Sequence, residues 1–90
     1  MEVNKRNQLR ELLDYHHEWP DAFTFKFIYK KDPETELKLK KLFITESKIT
    51  IKSSSKNNFK SMSVVHICFN ADDIMNIYLK ASEIEGVMSL

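Results

Sequence analysis

Residues 21–31, read as Asp21-Ala22-Phe23-Thr24-Phe25-Lys26-Phe27-Ile28-Tyr29-Lys30-Lys31, set an aromatic at every second position from Phe23 to Tyr29. Successive side chains of a strand point to opposite faces, so this rhythm predicts a strand with one buried aromatic face. Thr24, Lys26, Ile28 and Lys30 then lie on the other face. Upstream, Leu9, Leu12, Leu13 and His16 fall at i, i+3, i+4 and i+7, the stripe of an amphipathic helix over about residues 4–17, which Pro20 keeps from running on. By this reading His16 completes the apolar stripe and His17 is solvated.

Downstream, Asp32 and Pro33 supply a capping side chain and a first helical residue of fixed φ, with Glu34 and Glu36 where the helix dipole favours acid. This second helix is expected to reach about Phe43, with Leu39, Leu42 and Phe43 as its apolar face. Ile49 and Ile51 alternate with Thr50 and Lys52 as a second strand, and Phe59–Phe69 reads as a third. The polar stretch Ser53–Asn58 joins them as a hairpin, with Asn57 and Asn58 suited to positive φ at its tip. Asn70 caps a third helix with the stripe Ile74, Ile77, Tyr78, Ala81 and Ile84, Gly86 is its expected stop, and Val87–Leu90 form a short last strand.

Without the first helix the order is strand, helix, strand, strand, helix, strand. That is the α+β, ferredoxin-like βαββαβ sandwich with an antiparallel four-stranded sheet and both crossover helices on one face. The expected division is an N-terminal helix at 1–18 and the ferredoxin-like unit at 19–90, together one domain, which suits a chain of 90 residues. The first helix is expected on the open sheet face or at a sheet edge.

The combination of Pro20, Phe25 and Lys26, then Ser54, Ser55, Lys56, Phe59 and Ser61, and the close Ile84, Glu85, Gly86, Val87 resembles the YbeD-like family of small bacterial proteins. The resemblance covers about residues 9–90. It departs at Asn57, where the family often has Gly, and at Trp19, where a Phe commonly precedes the proline. It implies a ferredoxin-like fold similar to the ACT regulatory domains of amino-acid metabolism, and by that likeness a homodimer, with an outward-facing first helix permitting a monomer, without implying an established function.

Composition narrows the function classes. Hydrophobic residues make up 42% of the chain, with one Gly and two Pro, so an ordered core is expected. The net charge of +1 lacks the overall excess of an obligate nucleic-acid binder. A lone cysteine, Cys68, forbids an internal disulfide and suits a reducing compartment. No apolar run reaches a membrane span and no signal-peptide h-region is present, so the cytoplasm is the expected location and no membrane partner is expected.

Candidate chemistry is sparse. His16 and His17 project about 100° apart on a helix and cannot share a metal without ligands from elsewhere. His66 and Cys68 face the same side of a strand, roughly 7 Å apart along the chain, too far for a nucleophile and its base. Their parity with Met62 and Val64 assigns them to the helix-covered face. Ser53–Ser55 lack the glycine and lysine of a phosphate loop. Asp72, Asp73, Glu83 and Glu85 read as solvated carboxylates with no mate for acid–base work. No metal site, cofactor or enzymatic activity is therefore expected, with a Cys68-dependent hydrolase or transferase as a trailing possibility.

The open face is the better candidate. Thr24, Lys26, Thr50, Lys52, Ser61 and Ser63 share it by parity, with Ser54, Ser55 and Lys56 in the adjoining hairpin. Hydroxyls and ammonium groups together bind anions. A solvated sheet face also needs polar residues, and lysine on an edge strand discourages unwanted pairing. Ile28, Val65 and Ile67 among them point to a covered face. Lys26, Ser54, Ser55, Lys56 and Ser61 are accordingly the expected ligand-binding residues of a regulatory or adaptor module, recognising a small carboxylate or a partner protein. The alternative is a nucleic-acid-binding module. Residues 38–60 carry seven lysines against the single acid Glu46, making Lys38, Lys40, Lys41, Lys48, Lys52, Lys56 and Lys60 its phosphate contacts. Against it, Phe25 and Phe27 face the core, leaving only Phe59 and Phe69 as stacking platforms, and twelve Lys against two Arg is a poor ratio for base and phosphate recognition.

Overall fold

In a computed structural model of the chain, residues 3–43, 47–53 and 58–90 are described. The aromatic alternation becomes β1 (Asp21–Lys30), on which Phe25, Phe27 and Tyr29 are fully buried while Thr24, Lys26 and Lys30 are exposed. Before it runs α1 (Val3–His16); after it come α2 (Pro33–Lys40), β2 (Ser47–Ser53), β3 (Phe59–Cys68), α3 (Ala71–Ser82) and β4 (Val87–Ser89). The strands form one sheet in the order β2-β3-β1-β4, every pairing antiparallel. This is the ferredoxin-like α+β arrangement.

Local chemistry accounts for the helix starts. Asp32 is extended and its side chain accepts the Glu34 N–H, with Pro33 following as the first helical residue. Asn70 does the same for α3, accepting from Asp73 N at 2.9 Å. The Asp73 carboxylate in turn accepts the Phe69 N–H. On α3, Ile74, Ile77 and Ala81 face the sheet and meet Phe25, Phe27, Met62 and Val64 in the core, to which Leu39 and Phe43 add from α2 and the turn beyond it.

Several boundaries differ from expectation. The second helix ends at Lys40, because Leu42 and Phe43 turn in tighter bonds to Leu39 and Lys40, and this drives Phe43 into the core. The third strand ends at Cys68, leaving Phe69 exposed. Gly86 does not stop α3: the helix ends at Ser82, and Gly86 uses its φ of 81° in the turn that launches β4. Asn58 has no positive φ, and Asn57 lies outside the described residues.

The first helix departs most. It lies against α3, on the helix layer, and so leaves the open sheet face bare. Arg10 reaches Asp72 at 2.7 Å and Arg6 reaches Asn76 at 3.2 Å. Its inward side runs through Arg6, Leu9, Arg10, Leu13 and His17, while Leu12 is 57% exposed and His16 is exposed. The expected roles of the two histidines are therefore exchanged. His17 is half-buried, its Nδ1 2.7 Å from the Asp21 carboxylate and its ring stacked on Trp19. Arg6 and Arg10 are partly buried on this side, whereas Leu12 and His16 of the expected stripe are exposed. Among the described residues no helix is long and apolar enough to cross a membrane.

Candidate functional site

Strand register turns the open face into a ladder of rungs. From the hairpin end, Phe59 sits opposite Lys30, and then Lys52, Ser61, Ile28 and Met88 form a row across all four strands. Thr50, Ser63 and Lys26 make the next row, then Lys48, Val65 and Thr24, and last Ile67 with Ala22. The six polar residues assigned to this face by parity all lie on it. Lys26 and Ser61 occupy adjacent rungs; Ser54, Ser55 and Lys56 lie outside the described residues.

Two properties set this surface apart. First, its charges have one sign: Lys26, Lys30, Lys48 and Lys52 are on it, and among the described residues no Asp or Glu is. Second, large apolar side chains remain uncovered there, with Ile67 50% and Met88 61% exposed, and Phe59 and Val65 also open to solvent. The cover that Ile28, Val65 and Ile67 had indicated is not supplied by α1. At the hairpin end the surface dips into a cavity of ≈ 270 Å³ lined by Ile28, Lys52, Ser53, Phe59, Lys60 and Ser61.

A larger cleft of ≈ 390 Å³ opens at the start of α2 beside the turn before β4, lined by charges of both signs, among them Lys30, Lys38, Asp32, Glu34 and Glu85. Lys38 pairs with Glu34 and Asp32 is spent on the helix cap.

The opposite sheet face holds the residues that sequence reasoning missed. Lys60 lies on the rung of Tyr29 and Val87, facing the helices, and its Nζ donates to Glu36 of α2 at 3.1 Å. The Tyr29 hydroxyl donates to the same carboxylate oxygen at 2.8 Å. These bonds, Tyr29's first and Lys60's second, hold the Glu36 carboxyl below its ordinary pKa. Burial, then the neighbouring Glu36, raises that of Tyr29. The legible clue was Lys60's parity with Met62, which the count of basic residues in 38–60 obscured. Those basic residues do not form one surface. Lys48 and Lys52 are on the open face, Lys38 and Lys40 are on α2 beside Glu34 and Glu36, Lys60 is turned inward, and Lys56 lies outside the described residues.

His66 and Cys68 do face the helices. His66 Nδ1 shares a 2.7 Å hydrogen bond with Ser47 Oγ, and its ring meets the edge of Phe43. Cys68 is fully buried, with its thiol directed to the His66 carbonyl oxygen and its pKa pushed up to about 11 by burial. That thiol is not an activated nucleophile. Among the described residues no three His, Cys, Asp or Glu side chains cluster as metal ligands.

No curated protein matches the chain significantly. Two solution structures of protein HP0495 from Helicobacter pylori are similar to it. One has a TM-score of 0.67 and 26% identity, covering 82% of this chain and 85% of that one. The other has a TM-score of 0.61 and 27% identity, covering 80% and 87%. The family model for the protein of unknown function DUF493 matches residues 14–90, from the last turn of α1 through β4. With that match across the whole sheet and both crossover helices, the chain belongs to the DUF493 family, which is the YbeD-like family.

Proposed function

We propose that this protein is a non-enzymatic regulatory or adaptor module that recognises an anionic ligand or partner protein on its open sheet face. The observation that carries the reading is that, among the described residues, no helix covers this face and its charges are all lysines. Exposed cations without counter-charges attract anions over about a Debye length, and the hydroxyls of Thr24, Thr50, Ser61 and Ser63 add hydrogen bonds at contact. Ligand binding then biases a docking or self-association equilibrium by the difference in affinity between its states.

The test is a two-dimensional amide NMR titration with pooled small carboxylates and acidic peptides, then with a short RNA at two salt concentrations. The expected result is a set of shifts centred on Lys26, Lys52, Ser61 and Ser63, lost in Lys26→Ala/Lys52→Ala. Shifts confined to the helix layer, or a preference for RNA that collapses steeply with salt, would count against the proposal.

A further inference from the structure

At the hairpin end of the open face the cavity is apolar where it is concave and cationic around its rim. Ile28 and Phe59 line it, together with Ser61, and Lys52 lies on the same rung as Ile28. Lys30 is the register partner of Phe59, and Lys26 lies one rung away. Its volume of ≈ 270 Å³ falls below the roughly 300–1,000 Å³ of sites that enclose a whole small molecule. It is the size of a seat for one large side chain.

We infer that this cavity anchors an acidic protein segment by one apolar side chain, with Lys26, Lys30 and Lys52 meeting the carboxylates that flank it. The inference rests on the anionic-partner reading of the open face and specifies the partner's chemistry. A free small carboxylate would satisfy the lysines yet leave Ile28 and Phe59 wet. A second copy of the chain docked face to face would set four lysines against four with no carboxylate between them, a like-charge contact that a symmetric interface cannot avoid. A nucleic acid would meet lysines alone, without arginine, and within the described strands one exposed aromatic, Phe59, on which to stack. Charge complementarity together with an apolar seat selects an acidic segment with an apolar anchor.

The experiment compares two synthetic glutamate-rich peptides of equal charge, one with a single central phenylalanine and the other with serine there. Each is titrated into the isotope-labelled protein, with an RNA oligonucleotide of matched charge as a third arm. The phenylalanine peptide is expected to shift the amides of Ile28, Lys52, Phe59 and Ser61. It should bind at least roughly tenfold more tightly than the serine peptide, the worth of burying one large apolar side chain. Ile28→Ser should erase that difference while leaving the dispersion of the spectrum intact, and Phe59→Ser provides a second variant should Ile28→Ser fold poorly. Equal binding of the two peptides at this face overturns the anchor and leaves the anionic-partner reading standing. Tighter binding of RNA than of either peptide, or shifts only on the helix layer, overturns both.

Discussion

Cys68 and Tyr29 are both fully buried, and burial has opposite meanings for them. The thiol is a small apolar filler whose pKa of about 11 keeps it protonated at neutral pH. Native protein should therefore resist iodoacetamide at pH 8 for hours, while unfolded protein reacts within minutes, as read by intact mass. Tyr29 is instead tied to the Glu36 carboxylate that Lys60 also reaches, so Tyr29→Phe should cost about 1.5–3 kcal/mol in urea unfolding, the range for a hydrogen bond to a charged group. The pH dependence follows from Glu36. Its carboxyl is held below the ordinary 4.5, so its stabilisation is complete above that value and drains away as pH falls through the folded-state pKa. Glu36→Gln should thus lower Tm at neutral pH more than at about pH 3. At this scale, alternation alone disclosed which side of β1 is buried. It could not disclose that Lys60 crosses to a helix, nor that His17 rather than His16 turns inward, because both depend on partners distant in sequence or beyond the helix end.

Among the elements, α3 was the most legible, since an N-cap, an apolar stripe and a run of core contacts all agree on it. Asn70→Ala should cost about 1 kcal/mol by thermal or chemical unfolding, the usual loss for such a cap. The first helix was the least legible. Its existence followed from the stripe, but docking sets Arg6 and Arg10 against α3, and their charge carries no directional signal in a sequence. The Arg10–Asp72 pair is about half exposed on both sides, and Arg10→Ala should change stability by less than about 1 kcal/mol. Leu13, which packs against the edge of the core, should matter more, with Leu13→Ala costing about 1–2 kcal/mol. If the two substitutions reversed in size, the ion pair rather than packing would be what seats the helix.

Across the whole molecule, the open face was readable from the two-residue period because register preserves parity through every strand. Its bareness was not readable, because nothing local in α1 says which layer it will cover. Lys26→Ala/Lys52→Ala should leave unfolding within about 0.5 kcal/mol of wild type, as for exposed residues without partners, yet elute earlier from a cation exchanger. Retention that did not change would mean that other lysines dominate the molecule's approach to an anionic surface. Those lysines confer one further property. The open face holds four cations and no acid, whereas the rest of the described surface holds nine cations and eleven acids. The described charges therefore make a dipole whose positive end is the open sheet face. A dipole turns in the field of an approaching anion before the two surfaces touch, so encounters begin already oriented and their rate falls as ionic strength rises.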